Sequence, residues 1–174
     1  MSGIAHTVRR LADDPYAATS RAAATATVID GPAVVTAADA IWVTDLPQSV
    51  GGMGAAPSPL HFFLGSIAGC SAAVIKHTLA PEFGVAVDQV SATIRCTADD
   101  ARLLGLGSRP ALADITIDIS IDSASPVERL TALQHAWLER CPLYLALTAR
   151  TDIGVTFQFT RSTPSEEIHD RPDH

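Results

Sequence analysis

From Ala111 to Asp122 the chain reads ALADITIDISID. Ala113, Ile115, Ile117, Ile119 and Ile121 alternate with Asp114, Thr116, Asp118, Ser120 and Asp122. A period of two sends the first set to one face of a strand and the second set to the other. One face therefore meets a core and the other meets water, a division that belongs to antiparallel sheets, since parallel ones are covered on both sides. Upstream, VAVDQVSATIRCTAD repeats the pattern. Val90, Ala92, Ile94 and Cys96 share its apolar face, and Ser91, Thr93, Arg95 and Thr97 share the other. RAAATATVIDGPAVVTAADAIWVTD reads as a hairpin turning at Asp30-Gly31. DIGVTFQFT reads as a last strand. Strands come in runs instead of alternating strictly with helices, which predicts an α+β fold with antiparallel sheet.

Between these strands lie helices. Ser58 can cap a helix whose first residue is Pro59, where the missing N–H costs nothing. The helix is expected over about 59–80, ending near Pro81 and Gly84. The Gly/Pro-rich LPQSVGGMGAAPSP before it reads as a loop too flexible for regular structure. SASPVERLTALQHAWLERC is amphipathic: Ser125 and Glu128 have capping-box spacing, and Leu130, Leu133, Ala136 and Trp137 form its apolar stripe. Pro142 restarts a short helix, PLYLALTA.

At 174 residues the chain is expected to form one domain over 21–160, preceded by an N-terminal arm at 1–20 and followed by a disordered tail at 161–174. The net charge of −7, without clustered basic residues, argues against nucleic-acid binding. Three cysteines are too few for a secreted disulfide framework. The N-terminus lacks an apolar signal segment. Ser66, Ser71 and Lys76 interrupt the longest apolar run, so no membrane partner is expected. The expected location is the cytoplasm, where thiols stay reduced.

The remaining question is Cys70, set mid-helix in GSIAGCSA. A buried cysteine can serve as a small apolar filler, and Cys96, on an apolar strand face, is read that way. Cys141 changes the weighing. It precedes Pro142 and so sits near a helix N-terminus, a place that favours thiolates, and Arg140 beside it could add positive charge. Cys70 and Cys141, each beside a helix and a proline, suggest a pair that can meet. The helix around Cys70 is apolar on nearly every face, through residues such as Phe62, Phe63, Ile67, Val74 and Ile75. One small sheet covers only one side of it, which predicts a homodimer.

PSPLHFFLGSIAGCSA, with Cys70 eleven positions after Pro59 (70 − 59), the preceding Gly-Gly, and CPLYLAL together resemble the two signatures of the OsmC/Ohr family, the osmotically inducible and organic-hydroperoxide-resistance proteins. The order of elements agrees over roughly 21–160. The resemblance implies antiparallel sheets wrapped around central helices in an intertwined homodimer, with sites at the subunit interface. It implies a peroxidatic Cys70, a resolving Cys141, an external dithiol reductant, and neither metal nor organic cofactor. It also implies a Glu just after the Pro, paired with an Arg that activates the thiol. Here those positions are Leu60 and His61, and neither TDLPQSVGGMGAAPS nor VIDGPAVV supplies the Arg. His61 is either a replacement polar partner or an exposed first-turn histidine. Arg21, Arg95, Arg140 and, two turns beyond Cys70, His77 are further candidates. Two functions follow: a hydroperoxide reductase using Cys70 and Cys141 in oxidative-stress defence, or a catalytically weak dimer that binds a small apolar ligand or senses redox state.

Overall fold

The computed structural model describes residues 11–14, 19–106, 111–149, 153 and 155–157. Most of the expected N-terminal arm, the expected tail at 161–174 and most of the expected last strand lie outside them. Of that strand, Ile153, Val155, Thr156 and Phe157 are described, and all four are exposed.

The architecture is α+β with antiparallel sheets, as expected. Strands β1 (Thr25–Thr27), β2 (Ala33–Ala37) and β3 (Ala40–Thr44) form one sheet in that order. The region folds as two hairpins where one was expected. Thr27 pairs with Val34, so Asp30 and Gly31 lie in a wide loop and not in a two-residue turn. The tight turn is at Ala38-Asp39, closed by the Ala37–Ala40 pair, with Ala38 held at a φ of 48°.

The long helix α1 runs from Pro59 to Phe83. It passes through Pro81, further than expected. Proline lacks an N–H and crowds the carbonyl four residues back, here that of His77. The turn ahead of it, Val74–Leu79, is widened to π-helix, and the Ala80 N–H bonds to Ile75. Opening the turn in this way relieves the crowding and lets the helix continue. It stops at Gly84, whose φ of 59° suits a left-handed cap. By length and composition α1 could cross a membrane, with a mean hydropathy of 1.3. The polar residues that interrupt it do not shorten it below a span.

Strands β4 (Gln89–Ala98) and β5 (Leu112–Asp122) pair antiparallel, flanking a short helix α2 (Asp100–Leu103). The inner face of β4 is as expected, with Ile94 buried and Val90, Ala92 and Cys96 half-buried. β5 departs at its start. Arg95 pairs with Thr116 and Thr97 with Ala113, so Asp114 and Ile115 together stand opposite Cys96. This is a bulge, with Asp114 at a φ of 51°, a conformation Asp tolerates better than most residues. One extra residue reverses the alternation. Ala113 therefore pairs on the outer face with Thr97, and Ile115 is 40% exposed. Ile117, Ile119 and Ile121 keep the inner face.

Helices α3 (Val127–Arg140) and α4 (Pro142–Thr148) complete the described fold. The capping box does not form: Ser125 instead accepts the Ala86 N–H at 2.9 Å, tying the start of α3 to the approach of β4. The apolar stripe holds, with Leu133, Ala136 and Trp137 buried. They close a core with Ile75, Leu79, Ala80, Val85 and Cys141, against which the inner faces of β4 and β5 pack. Burying each large aliphatic there is worth about 1.5–3 kcal/mol.

Cys96 is a free thiol, half-buried on the inner face of β4. Cys96→Ala is expected to cost about 1 kcal/mol in chemical denaturation and to leave thiol reactivity toward peroxide unchanged. Loss of that reactivity with the fold intact would overturn its structural role.

Candidate active site

The loop between β3 and α1 is built, not slack. Asp45 is its hub: Oδ1 accepts the Leu46 N–H at 2.8 Å, and Oδ2 accepts those of Met53 at 3.1 Å and Ala55 at 2.9 Å. These bonds, led by the one from Ala55, hold its carboxyl below the usual carboxylate range. Thr44 Oγ1 donates to the Pro57 carbonyl at 2.8 Å, and a 3-10 turn spans Gln48–Val50. The glycines that suggested flexibility are what permit this tight winding. The loop delivers Ser58 and Pro59 to the start of α1, and the helix carries Cys70 toward the core.

Ser58 is the N-cap residue, but its hydroxyl does not bond to the helix backbone. It meets His61 Nδ1 at 2.7 Å instead. His61 is exposed in the first turn. It lies nine residues before Cys70 (70 − 61), roughly 13 Å along the helix at 1.5 Å per residue.

Cys141 sits where α3 ends and α4 begins. Its N–H donates to the Trp137 carbonyl at 2.9 Å, and its own carbonyl accepts the Leu145 N–H at 2.9 Å. Both bonds fix the backbone of a residue that is fully buried. The Trp137 and Tyr144 rings, 5.0 Å apart, link α3 to α4 around it. Across the core, Cys70 Sγ lies 3.9 Å from Cys141 Sγ, both thiols free. Two sulfurs 71 positions apart in sequence thus reach van der Waals contact.

The electrostatics at Cys70 are mixed. Burial pushes its thiol above the ordinary range, and the neighbouring Cys141 adds to the rise. The Leu143 N–H opposes them. This contact was missed in the sequence, where the α4 N-terminus was expected to serve Cys141. The clue was Pro142 at the first helical position, since the N–H after it has no partner within the helix. No cation figures among the causes. Arg140 is engaged elsewhere: it donates to both carboxylate oxygens of Glu82, at 2.8 and 2.9 Å, and lies over the Phe83 ring. Arg95 pairs with Asp118 on the outer face of the sheet. Arg21 and His77 are exposed. Among the described residues no cluster of His, Cys, Asp and Glu could hold a metal.

The profile of one protein family, described as OsmC-like protein, matches residues 52–156, a stretch containing both Cys70 and Cys141. The chain belongs to the OsmC family. Solved structures agree on the fold. An OsmC-like protein from Mycoplasma pneumoniae aligns with a TM-score of 0.60 at 15% identity, covering 74% of this chain and 88% of that one. An organic hydroperoxide resistance protein OsmC from Legionella pneumophila aligns with a TM-score of 0.57 at 21% identity, over 75% and 90%. A candidate organic hydroperoxide resistance protein from Vibrio cholerae, with captopril bound in one of its active sites, aligns at 0.55 and 22% identity, over 74% and 84%. No curated protein matches the chain. In this OsmC-family chain, Cys70 and Cys141 are the two cysteines that converge.

Proposed function

We propose that this chain is a thiol-dependent reductase of organic hydroperoxides, acting in the cytoplasm in oxidative-stress defence. The observation that carries the reading is the 3.9 Å approach of Cys70 Sγ to a fully buried Cys141. Cys70, half-buried, is the thiol a peroxide can reach; Cys141 is screened until Cys70 reacts. The Cys70 thiolate attacks the distal peroxide oxygen, the O–O bond breaks, and the alkoxide leaves as alcohol on taking a proton, leaving Cys70 as sulfenic acid. Cys141 then attacks that sulfur and water leaves. The sulfurs close from 3.9 Å to the roughly 2.05 Å of a disulfide. An external dithiol restores both thiols by exchange and is itself oxidised to a disulfide.

The proposed enzyme is a homodimer. Along α1 the successive-turn positions Gly65, Gly69 and Ala73 are exposed, and a Cβ added at Gly65 or Gly69 would meet nothing within 4 Å. Ile41 and Val43 on the first sheet are exposed as well, at 74% and 44%. A second copy laid on these surfaces would cover them. Within one protomer the helix separates His61 from Cys70, so a role for His61 as polar partner of the thiol would be exercised between protomers. Light scattering is expected to give the mass of a dimer at micromolar concentration; a stable folded monomer would remove this part of the reading.

The test is stopped-flow thiol loss with cumene hydroperoxide as a function of pH. The thiolate is the nucleophile, and Cys70 is held above the ordinary thiol range. Its rate should therefore climb roughly tenfold per pH unit between about 7 and 9. A fast, flat profile over that range would mean that a cation has lowered the Cys70 pKa. Cys70 left unmodified at every pH would favour the other reading, a ligand-binding or redox-sensing dimer. The burial of Cys70, which the Leu143 N–H opposes but does not outweigh, leaves its thiol above the ordinary range and speaks for that second reading.

A further inference from the structure

Cys70 and Cys141 are both free thiols, and their sulfurs lie 3.9 Å apart. The same two sulfurs serve the peroxide reduction proposed above, but adjacent thiols also have a coordination chemistry of their own. A thiolate binds a metal ion at about 2.3 Å, so two sulfurs on one ion can stand at most roughly 4.6 Å apart, with the ion on the line between them. At 3.9 Å an ion would be held at a bent angle of about 116°, and a rotation of the Cys70 side chain that opens the gap by roughly 0.7 Å makes the arrangement linear. Cys141 is fully buried, and its backbone is fixed through both its N–H and its carbonyl, so it is the rigid half of the pair. Cys70 is half-buried and is the sulfur that an incoming ion meets first.

The surroundings decide which ion. Among the described residues no group of three or more His, Cys, Asp and Glu gathers anywhere, so the two thiols have no third such ligand beside them. Zinc takes four protein ligands in structural sites and three in catalytic ones. An iron–sulfur cluster takes four cysteines, and the chain has three. Calcium and magnesium take oxygen. Thiolates select soft ions, and of these monovalent copper is satisfied by two sulfurs. The walls suit it as well. Ile75, Leu133, Ala136 and Trp137 form the buried cluster with Cys141, and Val74 and Tyr144 pack against it beside Cys70. Apolar walls keep water from filling out a larger coordination shell. Charge points the same way. Two bare thiolates in contact repel each other, whereas one shared monovalent cation leaves a single negative charge, which the Leu143 N–H at Cys70 helps to carry. We propose that Cys70 and Cys141 form a two-coordinate binding site for monovalent copper. On binding, both thiols release their protons to solvent, two S–Cu bonds form, the ligands that delivered the copper leave, and no electron is transferred.

Copper binding needs the geometry of the pair and not peroxide chemistry, so it stands or falls separately from the proposed reduction. The reduced full chain, kept free of oxygen, is titrated into the coloured complex of monovalent copper with bathocuproine disulfonate. It is expected to withdraw one copper per chain, to keep it against excess zinc, and to become resistant to iodoacetamide at Cys70. X-ray absorption of the loaded chain is expected to show two sulfur neighbours and no nitrogen or oxygen. Cys70→Ser and Cys141→Ser should each weaken copper binding by at least about a hundredfold, since one thiolate is left, whereas Cys96→Ser should keep the affinity within about twofold. The absorption spectrum and the alkylation are read on the unaltered chain, so they decide the matter even where a serine variant does not fold. No withdrawal of copper, a third protein ligand in the absorption spectrum, loss of binding in a folded Cys96→Ser chain, or unchanged affinity in a folded Cys70→Ser or Cys141→Ser chain would each overturn the site.

Discussion

Cys70→Ser is expected to abolish consumption of organic hydroperoxide, by at least about a thousandfold, because it removes the nucleophile outright. Cys141→Ser is expected to do something different. The first peroxide should still be consumed, but Cys70 should then persist as sulfenic acid, detectable by dimedone labelling, and pass to sulfinic acid under excess oxidant. In the unaltered chain, peroxide should produce an intramolecular Cys70–Cys141 disulfide visible by peptide mass spectrometry. The contrast rests on position. Cys70 is partly accessible, whereas Cys141 is fully buried and held through both its N–H and its carbonyl. A Cys70→Ser variant that still consumes peroxide, or a Cys141→Ser variant that turns over with a dithiol as the parent does, would dismiss the pair. Because Ser is nearly isosteric with Cys, both variants should fold, and circular dichroism checks that they do.

The second large effect concerns Gly52. A Cβ there would lie 2.0 Å from the Leu46 carbonyl oxygen and 2.4 Å from its carbon. Both are backbone atoms, so no side chain can swing aside. Gly52 N–H donates to the Pro47 carbonyl and Gly54 N–H to that of Leu46, each at 3.1 Å, and the same winding brings Met53 and Ala55 to Asp45. Gly52→Ala must unwind this loop, and a loss of about 3 kcal/mol is expected by urea denaturation, the upper range for forced overpacking. Gly51→Ala is the comparison. It meets open space but has a φ of 94°, so only conformational strain of about 1 kcal/mol is expected. Equal effects of the two substitutions would show that the loop yields more easily than its contacts imply.

That loop marks the boundary of what could be read in advance. Pro, Gly and small residues were legible as an interruption between β3 and α1. Asp45 as the acceptor of successive backbone N–H groups was not, because such a cluster exists only once the chain has turned back on itself. The strands β4 and β5 were legible because burial of one face imposes a period of two on the sequence. The bulge at Asp114 was not: an inserted residue leaves the written alternation intact and changes only which residue it is paired with. Likewise the helix was legible through Pro81, but its continuation past the proline depends on a widened turn that no local pattern announces. At the site, the sequence by itself singled out Cys70 and Cys141 as the thiols to follow and placed Leu60 and His61 directly after Pro59. Only the tertiary structure decided that the sulfurs lie 3.9 Å apart. It also decided that Arg140 is spent on Glu82 and that the Leu143 N–H serves Cys70. The reason is physical: residue type and period record local burial, whereas contacts between distant segments and the pKa values they set depend on how whole elements pack.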